Sequence, residues 1–229
     1  MGGDSPAAVL FDLDLTLCVS TQESDELLAA TFERAGVDPF CEVADLAAVA
    51  SATPECESDR EFFAALFDLA AERVDGVDPG DVPSWRLADA HDGLVDHSAV
   101  RFRDGARAAL ESARDHGPVA LVTNGGRETQ STKLSALGIA DAFDATVFCD
   151  PAAGMPPKPD PKPVQTAVDA LDVAPDAAVL VGDSKAADVA GAHAAGVRSA
   201  WVPYDDASDD AEHDPHHTFD APDDLLRVL

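Results

Sequence analysis

Asp12 and Asp14 stand two residues apart at the end of the apolar run Ala7-Ala8-Val9-Leu10-Phe11. Although 33 of the 229 residues are Asp, this is the one Asp-x-Asp spacing in the chain. A short buried strand that ends in two acids brings both carboxylates to the mouth of a sheet, where α/β folds bind their ligands. Carboxylates placed there cost desolvation free energy unless a cation or positioned donors compensate. Three later segments have the same character. Leu121-Val122 runs into Thr123-Asn124-Gly125-Gly126, a loop carries Lys158-Pro159-Asp160-Pro161, and Val179–Val181 runs into Gly182-Asp183-Ser184-Lys185-Ala186-Ala187-Asp188. Taken together they supply carboxylates, hydroxyls, small turns with free backbone N–H groups and one lysine, an inventory suited to a phosphate together with a divalent cation.

Singly, each segment has a plainer reading. Thr123–Gly126 alone is an ordinary strand-to-helix turn, Lys158 or its neighbour Lys162 a solvated charge, and Asp183 with Asp188 a strand end and a helix cap. Their combination carries the argument, because in a parallel sheet the strand ends face one edge and distant segments can converge on one pocket.

The elements that must position them follow from periodicity. Apolar runs of strand length recur at Val9–Phe11, Val119–Val122, Thr146–Phe148, Val179–Val181 and Ser199–Val202, most of them separated by segments of helical period. That alternation predicts an α/β fold with a parallel sheet covered on both faces. Gly138 closes a helix over Glu128–Leu137, Pro161 and Pro163 open one running to Leu171, and Gly196 closes Ala186–Ala195. The first two strands lie about 100 residues apart, far more than one crossover needs. Within that interval Ser20 with Glu23, and Ser58 with Glu61, have the capping-box spacing, and Glu61–Val74 clusters Phe62, Phe63, Leu66, Phe67, Leu69 and Ala70 at helical spacing. The sequence therefore predicts an all-helical domain over residues 18–99 inserted on two linkers into a core of residues 1–17 and 100–229. A helix over Arg103–His116 leads back to the sheet.

Composition limits the partners. With 44 acidic against 15 basic residues the formal net charge is −29, which makes nucleic acid and anionic membrane surfaces repulsive. Only Lys133, Lys158, Lys162 and Lys185 are lysines, and so acidic a surface suits high salt, where the Debye length shrinks to about 3 Å near 1 M. The reading is a halophile's protein. Cys18, Cys41, Cys56 and Cys149 form no Cys-x-x-Cys pair and read as small buried hydrophobes in a reducing cytoplasm. No leader pattern or membrane-length apolar run occurs, and the stretch Tyr204–Asp214, with His213, His216 and His217 in and after it, reads as a solvated loop without function.

In order and spacing the four segments resemble the four motifs of the haloacid dehalogenase superfamily, and the insertion after the first resembles its helical C1 cap. The resemblance implies a Rossmann-like sheet of strand order 5-4-1-2-3 with the active site at its carboxyl edge. It further implies that Asp12 is the nucleophile and Asp14 the general acid and base. The Asp12 carboxylate, the Asp14 backbone carbonyl and Asp183 would hold Mg²⁺. Thr123, the backbone at Asn124 and Lys158 would bind the phosphoryl oxygens, with Asp188 supporting the metal or orienting Lys158. Leu15, where relatives carry a small or polar residue, and Ala187, where a polar one is common, are departures that remove no catalytic group.

The implied activity is a Mg²⁺-dependent phosphatase for a small phosphorylated metabolite, as a monomer or a homodimer alike. A phosphosugar mutase of the same family also uses both acids. A non-catalytic receiver-like module phosphorylated on Asp shares the acid cluster, Thr and Lys, but has no use for an insertion of about 80 residues.

Overall fold

The computed structural model describes residues 5–50, 52–54, 56, 58–204 and 213–229. They form two compact units, one of residues up to Ser20 together with His97–Leu229, the other of Thr21–Asp96. The chain opens with β1 (Ala8–Phe11) and β2 (Cys18–Ser20). Four helices follow: α1 (Ser24–Ala35), α2 (Val43–Ala50), α3 (Asp59–Arg73) and α4 (Ser84–Asp92). After β3 (Val100–Phe102), α5 (Ala106–His116), β4 (Val119–Asn124), α6 (Arg127–Leu137), β5 (Ala145–Cys149), α7 (Pro161–Ala170) and β6 (Ala178–Gly182) alternate. A π-helical turn over Lys185–Val189 then runs into α8 (Ala190–Ala194), and β7 (Arg198–Trp201) and β8 (His217–Thr218) complete the sheet.

That sheet is fully parallel, in the order β5-β4-β1-β6-β7-β8. Its five longer strands, numbered along the chain, run 3-2-1-4-5, which is the expected order 5-4-1-2-3 read from the opposite edge. The sixth, β8, corrects the sequence reading of the tail. His217 and Thr218 extend the sheet by pairing with Ala200 and Trp201, although Tyr204–Asp214 as read from sequence falls largely on residues 205–212, outside the described ones. β2 and β3 pair separately as an antiparallel ribbon, Val19 opposite Arg101. Ser20 therefore ends a strand; α1 is capped by Glu23 without a side-chain hydrogen bond, so the Ser20/Glu23 capping box does not form. The second box does, since the Ser58 hydroxyl accepts from the Glu61 N–H.

Strand alternation builds the core. Val9 and Phe11 of β1, Val119 and Leu121 of β4 and Val179 and Val181 of β6 pack on one face of the sheet. Ala8, Leu10, Ala120, Val122, Ala178 and Leu180 pack on the other. Strands apolar on both sides are what a sheet buried on two faces requires. Ala106, Ala109, Leu110 and Ala113 of α5, with Leu134 and Leu137 of α6, cover the first face; Val164, Ala167 and Val168 of α7 cover the second. The Thr21–Asp96 unit has its own core, in which Leu28 and Phe32 of α1 meet Leu66, Phe67 and Ala70 of α3 and Leu87 of α4. Phe32 packs edge-on against Phe67 with ring centroids 6.2 Å apart. Among the described residues no helix is long and apolar enough to cross a membrane.

Candidate active site

β1 sits between β4 and β6, so the chain leaves it towards one side of the sheet and later returns on the other. Such a switch point opens a crevice beyond the carboxyl ends of the strands. Asp12 follows β1 directly, held by its N–H on the Val181 carbonyl at 2.9 Å. Thr123 and Asn124 end β4, and Asp183 follows β6. These register relations bring together residues far apart in the chain.

Lys158 is the centre of the arrangement. Only 4% exposed, its Nζ donates to Asp12 Oδ1, Asp188 Oδ1 and the Val122 carbonyl, each at 2.7 Å. Its loop is fixed from β4, because the Asn124 side chain accepts from the Lys158 N–H at 2.9 Å and donates to the Lys158 carbonyl at 3.3 Å. The other Asp188 oxygen accepts from the Ser184 N–H at 3.0 Å, which aims the carboxylate at Lys158. Asp188 lies so close to β6 that a Cβ at Gly182 would come within 2.2 Å of it, so glycine is required there. Thr16 donates to Asp183 at 3.3 Å.

One oxygen from each of Asp12, Asp183 and Asp188 lies within 4.8 Å of the others. Burial pushes the Asp12 carboxyl up to about 8, with Lys158 pulling it back and Asp188 and Asp183 adding to the rise. Asp183 is likewise raised to about 7, first by burial and then by Asp188, against the Thr16 hydrogen bond. Burial pulls Lys158 down, but Asp12 and Asp188 outweigh it and hold the lysine above its ordinary value. One lysine cannot balance three carboxylates. A hard divalent cation supplies the two missing charges and prefers an all-oxygen donor set, so the residues present fit Mg²⁺. The Thr123 hydroxyl, also buried, has no hydrogen-bond partner among the described residues. A buried hydroxyl left so costs about 1–3 kcal/mol, which an acceptor or donor on a bound ligand recovers.

Asp14 is engaged differently. Its carboxylate is bound by α6, where Lys133 Nζ lies 2.8 Å from each oxygen and Gln130 Nε2 donates at 2.9 Å. The next residue, Leu15, is 42% exposed and takes the left-handed conformation, φ 60°, which costs a non-glycine residue roughly 1–2 kcal/mol. Arg103 secures this turn: its guanidinium donates to the Leu15 and Val202 carbonyls at 2.8 Å and to that of Pro203. Gln130, Lys133 and Arg103 have no role in the sequence reading, and Thr16 and Ser184 enter it only as hydroxyls of the first and last segments, without an assigned partner. For Gln130 and Lys133 a signal existed, a polar pair at i and i+3 in the helix directly after the Thr123–Gly126 turn.

The fold and site together define a doubly covered parallel α/β protein with a lysine-bridged carboxylate cluster at its switch point. The chain belongs to the haloacid dehalogenase-like hydrolase family, whose model matches residues 6–196. Phosphoglycolate phosphatase of Rhodospirillum rubrum is 32% identical over 200 residues, 87% of this chain and 80% of that one. Phosphoserine phosphatase of Thermus thermophilus is 40% identical over 111 residues, 48% of this chain and 44% of the relative. Against several such curated relatives the aligned part spans about half of their length. The fold is shared with CbbY of Rhodobacter sphaeroides, solved in complex with phosphate, at TM-score 0.69 and 24% identity over 96% of both chains.

Proposed function

We propose that the chain is a phosphoric monoester hydrolase that acts on a small phosphorylated metabolite through an aspartyl-phosphate on Asp12. The observation that carries this reading is the buried Lys158 joining Asp12 to Asp188, with its Nζ on the Val122 carbonyl of the strand that also carries Thr123, whose hydroxyl has no partner among the described residues. It gives an acid nucleophile a fixed cation at its side. In the first half-reaction an Asp12 oxygen attacks phosphorus and the bond to the leaving oxygen breaks, while Asp14 donates its proton to that oxygen. In the second, the Asp14 carboxylate takes a proton from water, the water oxygen attacks the same phosphorus, and Asp12 is released with inorganic phosphate. Lys158 and Thr123 meet the phosphoryl oxygens, offsetting the repulsion between two anions. Asp12, Asp183 and the Asp14 carbonyl would hold Mg²⁺, with Asp188 behind them; the cation supplies charge neutralisation at the phosphoryl group. Relatives named as phosphatases of phosphoglycolate and phosphoserine support the substrate class. The helical unit Thr21–Asp96 contains none of the four chemical segments, and selection among metabolites is assigned to it. The test is phosphate release from p-nitrophenyl phosphate with Mg²⁺ and with EDTA. Equal rates in both, or none in either, would end the proposal.

Proton linkage gives a second test. Asp12 and Asp183 have raised values in the cation-free protein, so the folded state binds more protons than the unfolded between about pH 4 and pH 8. Their contribution to stability is therefore present below pH 4 and is lost as the pH rises towards 8. A cation displaces those protons. The rise in melting temperature on adding Mg²⁺ is expected to be small at pH 5 and to grow steadily to pH 8; a shift independent of pH would remove these acids from the metal site.

The charge reading belongs to the same proposal: a protein of a salt-rich cytoplasm, whose four cysteines, Cys18, Cys41, Cys56 and Cys149, are all free thiols. With a net charge of −29, its melting temperature is expected to climb as KCl goes from about 0.1 M towards about 1 M, because screening damps surface repulsion. A flat or falling melting curve would overturn the halophile assignment.

A further inference from the structure

Gln130 and Lys133 lie three residues apart on α6 and so share a helix face. Both turn to Asp14. Lys133 Nζ reaches each Asp14 oxygen at 2.8 Å, while the two amide hydrogens of Gln130 are divided between Asp14 Oδ2 at 2.9 Å and the Asn124 carbonyl at 2.7 Å. Gln130 is 2% exposed and the Lys133 side chain 15%, whereas the Asp14 side chain keeps 43% of its surface open. Asp14 is thus gripped from the helix and left accessible on its other side. The glycine at 125, with φ 128°, makes this possible, since a Cβ there would stand 2.6 Å from Gln130 Nε2.

We propose that Gln130 and Lys133 are positioning residues for the phosphatase reaction, which hold the Asp14 carboxylate in register with the phosphate-binding turn at Asn124. The inference rests on the acid and base role given to Asp14 above. The turn that carries Asp14 is strained at Leu15, and an Asp side chain in such a loop has rotamer freedom that a reaction requiring placement within about 0.5 Å does not tolerate. Lysine suits the task because its three donors sit on a flexible stem, so one Asp14 oxygen stays anchored while the other turns to the leaving group. Glutamine suits it because one amide spans two acceptors. Through its bond to the Asn124 carbonyl, the acid and the phosphate turn move together.

A double-mutant comparison tests this. The parent, Lys133→Met, Asp14→Asn and the double variant are assayed for kcat/KM, which reports transfer to Asp12, on p-nitrophenyl phosphate and on phenyl phosphate, whose leaving group needs the proton more. Lys133→Met is expected to lower kcat/KM on phenyl phosphate by about tenfold or more, a part of the roughly 10²–10⁴-fold that general acid assistance supplies, and much less on p-nitrophenyl phosphate. In the Asp14→Asn background the same substitution is expected to cost nothing further, and Lys133→Arg to restore most of the loss. Gln130→Met should repeat the pattern; if Lys133→Met does not fold, Lys133→Gln takes its place. An equal loss in both backgrounds, a loss independent of the leaving group, or no loss would overturn the inference. A fully active Asp14→Asn variant would instead refute the role of Asp14 itself, so the two failures are distinct.

Discussion

Asp12→Asn is expected to reduce steady-state phosphate release on the order of 10⁶-fold, the scale on which loss of a covalent nucleophile is felt, while the protein stays folded. The carboxamide is nearly isosteric with the carboxylate. Lys158 retains two of its three acceptors, the Asp188 carboxylate and the Val122 carbonyl, so the lysine is not stranded. Because burial already disfavours the charged form of Asp12, removing that charge relieves repulsion from Asp183 and Asp188 as it abolishes nucleophilicity. The variant should therefore melt at or above the parent temperature in EDTA at pH 8. Acid-quenched protein from a reaction with labelled substrate should carry phosphate in the parent and none in the variant. Substantial turnover by folded Asp12→Asn protein would remove Asp12 from the centre of the reaction.

Lys158→Met is expected to be nearly as damaging to activity and far more damaging to the fold. The side chain is enclosed, and its departure leaves Asp12 and Asp188 facing one another without the charge between them. Breaking a buried ion pair by removing one partner costs about 3–5 kcal/mol. The sign of its pH dependence follows from the acids left behind. Without Lys158 the Asp12 carboxyl loses the group that pulls it down, its folded-state value rises further above the unfolded one, and the deficit grows with pH. Denaturant melts at pH 5 and pH 8 should show a loss several-fold smaller at the lower value, and Mg²⁺ should recover part of it at pH 8. A deficit equal at both pH values would mean that lost packing dominates over the charge.

Against these expectations, the residues divide by how local their signal is. Strand ends at Asp12, Thr123 and Asp183 were readable because each follows a short apolar run, and alternation on both sheet faces leaves little choice of element. Lys158 was harder, since two lysines lie four residues apart in a proline-rich loop. In the folded chain Lys162 Nζ bonds the Gly154 carbonyl on the exposed side, and Lys158 alone turns inward to the acids. β8 was missed because a two-residue edge strand has no periodicity of its own. It exists by pairing with β7, where the His216 ring accepts from the Ser199 N–H at 3.1 Å.

What the sequence determined by itself is therefore the α/β class, the helical insertion and the carboxyl-edge placement of the four chemical segments, which follow from continuous apolar runs of strand length, from the helical period of 3.6 and from chain order. Only the tertiary structure decided which charges meet. Asp14 and Lys133 are 119 residues apart, and Lys158 and Asp12 are 146 apart. No local pattern pairs them, because contact depends on Leu134 and Leu137 turning inward the α6 face that they share with Gln130, with Lys133 at its margin. Hydrophobic burial orients the helix, and the polar side chains carried within and beside the buried face meet whatever the neighbouring strand end presents.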